Sequence, residues 1–192
     1  MTRRNELVAW IPGMAEIETD RLLLRRWRDA DRDAFARMNA DPAVMEHFPV
    51  RLSPEESDQL IQNIEKHFER HGFGLWAAEL RATGEFIGFV GLSVPRFETA
   101  FTPCVEIGWR LDAAHWGTGL ATEASRAVLR HAFDVLRLDE IVSFTVPENL
   151  RSRRVMEKLG MSHDPRDDFD HPNLAEGHPL RRHVLYRLRR QA

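Results

Sequence analysis

Two glycines one residue apart, in Trp116-Gly117-Thr118-Gly119-Leu120-Ala121, lie between a strand-like run and a long amphipathic one. Glycine lets the backbone take positive φ and come close to a ligand. The first N–H groups of a helix have no partner inside it, and the helix dipole favours an anion there. A pyrophosphate is the occupant this arrangement predicts. The same pattern also serves tight turns that bind nothing, so alone it leaves both readings open. It is too short for a dinucleotide-binding fingerprint, and no Gly-Lys-Ser/Thr follows to make a P-loop.

Just upstream, Val105, Ile107, Trp109 and Leu111 alternate with Glu106, Gly108 and Arg110. A strand with this alternation puts Glu106 and Gly108 on one face, and Gly108 leaves space beside the carboxylate. Glu106 could equally be a strand glutamate paired with Arg110 or another arginine. Cys104 shares that face by parity. No histidine can be assigned as its partner, and a lone cysteine is usually a small core residue. Further on, Asn149 reads as a helix N-cap with Ser152 in the first turn.

The elements that position these residues follow from local signals. Glu18 to Trp27 reads as an opening strand, and Asp29 to Asn39 as a short helix with acidic residues in its first turn. Ser53-Pro54-Glu55-Glu56 is a helix start, with Leu60, Ile61, Ile64 and Phe68 as its apolar stripe and Gly72 as its stop. Leu75 to Leu80 and Phe86 to Leu92 form strands around an Ala82-Thr83-Gly84-Glu85 turn. Val105 to Leu111 is the next strand and Leu120 to Arg137 a long helix. Strand Ile141 to Val146, helix Asn149 to Leu159 ended by Gly160, and strand Val184 to Leu188 complete the order. The three consecutive strands should be antiparallel, and the long helix lets the next strand run parallel to its predecessor. The expected class is α/β (α+β): one domain over residues 17–192, with a mixed, mostly antiparallel sheet and helices on both faces. Residues 1–16 read as an N-terminal extension.

Composition narrows the partners. The 192 residues carry a net charge of −3, so no global basic field recruits nucleic acid. The single cysteine excludes an internal disulfide and a Cys-based zinc site, and it suits the cytoplasm. No apolar run approaches membrane-spanning length, and no signal peptide is evident.

Three segments together resemble the GNAT superfamily of N-acetyltransferases. Val105-Glu106-Ile107-Gly108-Trp109-Arg110-Leu111 followed by Trp116-Gly117-Thr118-Gly119-Leu120-Ala121-Thr122-Glu123-Ala124 is similar to its acetyl-CoA motif. That motif is [Gln/Arg]-x-x-Gly-x-[Gly/Ala], and Gly119 and Ala121 match its last fixed positions. Trp116 in place of Gln or Arg resembles the branch of ribosomal-protein N-terminal acetyltransferases. Asn149-Leu150-Arg151-Ser152, running into Glu157-Lys158-Leu159-Gly160-Met161, and the opening Glu18-Thr19-Asp20-Arg21-Leu22-Leu23-Leu24-Arg25 resemble the same branch.

The resemblance implies a GNAT fold and direct transfer of an acetyl group from acetyl-CoA to a primary amine, with no metal. It implies Glu106 as the base, often acting through a water, and a backbone N–H near Trp109 to Leu111 as the oxyanion donor. Trp109, Arg110, Leu111, Trp116, Gly117, Thr118, Gly119, Leu120, Ala121, Thr122, Asn149 and Ser152 are the expected cofactor contacts. Many members protonate the thiolate with a tyrosine after the second motif. The one tyrosine here, Tyr186, lies in the last strand, and Ser152 is the substitute. Arg151, Arg153, Arg154 and Lys158 could meet phosphates or form a solvated face.

The acceptor that the resemblance implies is a protein N-terminus or a small-molecule amine. The irregular acidic segment from His163 to Arg182 is expected to border its site and attract a cation. The helix from Ser53 to His71 is expected to form the opposite wall, with Trp76 and Phe73 close by. A homodimer is compatible with this reading. Two other readings stay open: a CoA-binding module of the same fold without transferase activity, and an unrelated α/β domain whose glycine turn is structural.

Overall fold

The computed structural model describes residues 16–190. Its elements are β1 (Ile17–Glu18), β2 (Leu22–Arg25), α1 (Arg32–Ala40), α2 (Pro54–His71), β3 (Leu75–Leu80), β4 (Phe86–Ser93) and β5 (Glu106–Leu111). Then come α3 (Leu120–Arg130), β6 (Glu140–Thr145), α4 (Leu150–Lys158), β7 (Ser162–His163), β8 (Phe169–Asp170) and β9 (Arg182–Arg189). The extension expected over residues 1–16 lies, except for Glu16, outside the described residues.

One sheet runs in the order β1-β2-β3-β4-β5-β6-β9-β7, with β8 also paired to β9. Every pairing is antiparallel except β5 with β6. The short turn between β3 and β4 allows only an antiparallel pair, while α3 supplies the crossover a parallel pair needs. The result is the expected single α/β domain with a mixed, mostly antiparallel sheet.

Alternation along β4 sorts the two faces. Phe89 packs with Phe35, Met38 and Ile61 of α1 and α2, whereas its neighbour Val90 belongs to the core beneath α3, with Ile107, Ala124 and Val128. Ser53 starts α2 as its sequence predicts. Its hydroxyl accepts from the Glu56 N–H at 3.2 Å, and Glu56 accepts from the Ser53 N–H at 2.8 Å. Gly72 ends the helix at φ 75°.

Three expectations change. The opening strand is broken in two, because Thr19 turns the chain by accepting the Leu22 N–H on its hydroxyl at 2.9 Å. The long helix ends as α-helix at Arg130 and continues as a π turn over His131–Val135, where Leu136 N–H reaches back to His131 O at 3.1 Å. This wider turn keeps Ala132 fully buried and brings Phe133 and Leu136 onto the core before Arg137 closes it at φ 57°. The segment from His163 to Arg182 is not wholly irregular, since β9 is long enough to pair with β6 on one edge and with β7 and β8 on the other. Trp76 lies close to α2, as expected. It is fully buried, edge-on to Phe68 at 5.3 Å and to His131 at 5.8 Å.

Candidate active site

The glycine turn is shaped to receive an anion. Gly117 and Gly119 sit at φ 75° and 85°, and Gly119 is the N-cap of α3. The first helical bond of α3 runs from Glu123 N–H to Gly119 O at 3.0 Å. The N–H groups of Leu120, Ala121 and Thr122 therefore have no acceptor within the helix. A Cβ at Gly117 would meet nothing within 4 Å, so that side of the turn is open. Trp116 is turned inward, with Nε1 donating to Leu111 O at 2.8 Å. Thr118 Oγ1 donates to His115 O at 2.7 Å.

A clamp from the first strand pair holds this turn. Glu123 accepts from Thr19 Oγ1 at 2.6 Å, from Arg21 N–H at 2.9 Å and from Arg21 Nε at 2.7 Å. Arg21 also donates to Thr118 O at 3.0 Å. Burial would raise the Glu123 carboxyl, but the Thr19 and Arg21 hydrogen bonds outweigh it and hold it below its ordinary value. On the other side Arg151 of α4 stacks over the Trp116 ring at 4.4 Å and pairs with Glu46 at 2.9 Å.

β5 and β6 part as they approach the turn. Among the described residues they share one register pair, Glu106 with Val142, and Val142 N–H donates to Val105 O at 2.9 Å. Asp112 N–H instead donates to Ile87 O, toward β4, at 2.9 Å. Main-chain groups alternate direction along a strand. The odd-numbered residues of β5 thus aim theirs at β6, and the N–H groups of Trp109 and Leu111 face the gap.

Glu106 stands at the closed end of this gap. Ser93 Oγ donates to its Oε2 at 3.2 Å. Its carboxyl lies deep among protein atoms, and that desolvation raises it to about 7 against the lowering effect of Ser93. A Cβ at Gly108 would meet nothing within 4 Å, so the floor beside Glu106 is open as the alternation predicts. Arg110 is not its ion-pair partner. Arg110 Nη1 donates to Asn39 Oδ1 at 2.6 Å instead. The nearby Cys104 thiol is pushed up to about 11 by burial and by the charge of Glu106.

The surroundings of Glu106 are apolar on one side and polar on the other. By register Phe144 of β6 shares its face, in a cluster where Phe97 lies 5.8 Å from Phe144, Phe101 4.8 Å from Phe169, and Phe97 4.7 Å from His171. Burial lowers the pKa of His171 and of His183 in this cluster. On the α2 side His67 donates from Nδ1 to Phe73 O at 2.8 Å, and its Nε2 accepts the Val94 N–H at 3.0 Å.

Asn149 is the cap of α4. Its Oδ1 accepts from Ser152 N–H at 3.2 Å, and its Nδ2 donates to Thr145 Oγ1 at 3.0 Å. Ser152 is half-buried. Tyr186 is buried under the far side of α4, its hydroxyl 3.4 Å from both Arg153 and Glu157. Arg153 also donates to Pro147 O at 3.0 Å, which turns it back onto its own helix start.

The four aspartates of the segment from His163 to Arg182 are each paired within the protein. Asp164 pairs with Arg166, Asp167 with Arg187, Asp168 with His163, and Asp170 with Arg181 and Arg182. What the segment adds to the Glu106 face is aromatic, through Phe169 and His171. Sequence reasoning passed over Arg21, Ser93, Asn39 and His67. Only Arg21 had a signal, its place in the opening motif; the others act across long sequence separations.

The family model for the acetyltransferase (GNAT) domain matches residues 21–162. The chain belongs to this family, the GNAT N-acetyltransferases. It is 32% identical over 162 residues to the FsC-acetyl coenzyme A-N(2)-transacetylase of Aspergillus fumigatus, covering 80% of this chain and 67% of that one. It is 31% identical over 145 residues to the uncharacterized N-acetyltransferase YnaD of Bacillus subtilis, covering 76% and 81%. Among solved structures, the acetyltransferase of Agrobacterium tumefaciens superposes with a TM-score of 0.74 at 27% identity, covering 93% and 96%. Mycobacterium smegmatis RimJ, solved with CoA-disulfide, shares the fold with a TM-score of 0.73 at 21% identity, covering 93% and 88%.

Proposed function

We propose that this enzyme moves an acetyl group from acetyl-CoA directly to a primary amine, of a protein N-terminus or a small molecule. The observation that carries this reading is Glu106, with a carboxyl at about 7, beside an open floor where β5 and β6 part. The N–H groups of Leu120, Ala121 and Thr122 and the open side of Gly117 fit a pyrophosphate, with Thr118 and Gly119 completing the turn. Acetyl-CoA supplies a thioester, whose carbonyl is the electrophile.

Glu106 accepts a proton from the amine, directly or through a water, and a base near neutrality is well matched to that task. The amine nitrogen forms the new bond to the carbonyl carbon. The N–H groups of Trp109 and Leu111 would hold the negative charge that builds on the carbonyl oxygen. The carbon–sulfur bond then breaks, its electron pair leaves on sulfur, and the Ser152 hydroxyl donates toward it. A Cys104 thiol at about 11 stays protonated at neutral pH, which supports direct transfer over an acetyl-cysteine intermediate. The activities for which the Aspergillus and Bacillus relatives are named, and the CoA in the RimJ structure, support the same reading.

Two measurements test it. Calorimetry with acetyl-CoA should show binding, and none at high micromolar concentration would overturn the cofactor site. Thiol release over a panel of amines and N-terminal peptides should find an acceptor; binding without release would leave only a CoA-holding module.

A further inference from the structure

The face of β5 that carries Glu106 and Gly108 also carries Arg110, and its surroundings are those of a prepared cation. The guanidinium carbon lies 4.1 Å from the Phe48 ring centroid and 5.4 Å from that of Phe89. Nη1 donates to Asn39 Oδ1 at 2.6 Å, and Asn39, fully buried, is fixed in turn by its Nδ2 donating to Ser57 Oγ at 3.0 Å. Nε is buried with no acceptor among the described residues. No carboxylate lies within ion-pair distance of Arg110 among those residues, although Arg21, Arg25, Arg26 and Arg187 each have one. Desolvation pulls the guanidinium down to about 10.

A desolvated cation without a counter-ion is costly, and removing it from water is offset only by an anion with good geometry. The aromatic rings and Asn39 fix the position of the guanidinium but supply no charge. Strand spacing places Arg110 about 13 Å along β5 from Glu106, at roughly 3.3 Å per residue, with the open floor of Gly108 midway.

We propose that the acceptor carries a carboxylate as well as its amine, and that Arg110 binds the carboxylate while the amine lies toward Glu106. The inference rests on the transferase reading above and names its substrate class. A free amino acid and a peptide with an acidic residue near its N-terminus present this same chemistry. Arg110 is then a specificity-determining residue, since its planar fork matches a carboxylate bidentately.

The test is kinetic discrimination between matched acceptors: amino acids against their amides, and peptides with Asp or Glu at the second position against Asn or Gln. The wild-type enzyme should favour the carboxylate member of at least one kind of pair by roughly 10- to 100-fold in kcat/KM. The kind of pair that shows the preference distinguishes the two sources. Arg110→Gln should bring that ratio close to 1, and Arg110→Lys should keep part of it. Asn39→Asp keeps the arginine but gives it an internal anion, and should also collapse the ratio. Equal use of both members by the wild type, or a ratio retained in both Arg110→Gln and Asn39→Asp, overturns this inference and leaves transferase activity standing. Absence of thiol release with every amine, charged or neutral, overturns the transferase reading and this inference with it.

Discussion

At residues 116–122 the groups offered to a ligand are backbone N–H groups, whereas at residues 106–110 they are side chains. The first end is held from behind by paired charges, Glu123 with Arg21, and its two glycines sit at positive φ. The second end keeps two desolvated ionisable groups, Glu106 and Arg110, that do not neutralise each other. Backbone donors at a helix start serve any ligand with the same phosphate chemistry. Poorly neutralised side chains cost stability and earn their place only by acting on a particular substrate. The common part of the reaction is thus written in the main chain and the individual part in side chains.

The largest expected break falls at the side-chain end. Glu106→Gln should lower kcat by about 10²- to 10⁴-fold. In the wild type kcat/KM should rise with pH and level off above about 7, and the variant should lose that limb. Stability should move the opposite way. The folded carboxyl titrates above its ordinary value, so the wild type loses stability as pH climbs from about 4.5 through about 7 and then levels. Thermal melts at pH 5 and 8 should show Glu106→Gln gaining on the wild type only at the higher pH, by about 2 kcal/mol. Equal rates, or an equal gain at both pH values, would remove Glu106 from the role of base.

At the main-chain end Gly119→Val should weaken acetyl-CoA about tenfold in calorimetry, because a branched side chain at φ 85° strains the turn by about 1–2 kcal/mol. Unchanged affinity would mean that the turn does not contact the cofactor. Glu123→Gln attacks the same end from behind. Partly exposed Arg21 limits the loss to about 1 kcal/mol, read as a lower midpoint in chemical denaturation. The smallest effect is expected at Asn149→Ala, below about 1 kcal/mol in the same experiment, where a half-exposed cap is lost.

The same contrast governs what could be read in advance. The capping box at Ser53, the glycine turn and the shared face of Glu106 and Gly108 are local patterns, and each is visible within a few residues. The glycine turn that starts α3 was therefore legible down to its residues. Trp76 lies close to α2 as expected, but its full burial left no mark, because aromatic type does not tell which sheet face a residue takes. Asn39 meets Arg110 across 71 residues, and Ser93 meets Glu106 across 13, so neither contact leaves a mark in either segment. The acidic segment looked like an attractant since its arginine partners, Arg187 among them, lie on β9 or follow at unequal spacing. β7 and β8, two residues each, are too short for any periodicity to show.

The single register pair between β5 and β6 has a mechanical consequence. The sheet is two stiff plates, β1 to β5 and β6 to β9, sewn together by one stitch at Glu106 and Val142 and backed by α3. Beyond that stitch the seam is unsewn, so the Trp109 and Leu111 amides should trade their protons for deuterium faster than those of Gly108 and Arg110, which face β4. A molecule that fills the seam would slow those two amides and let the plates move as one.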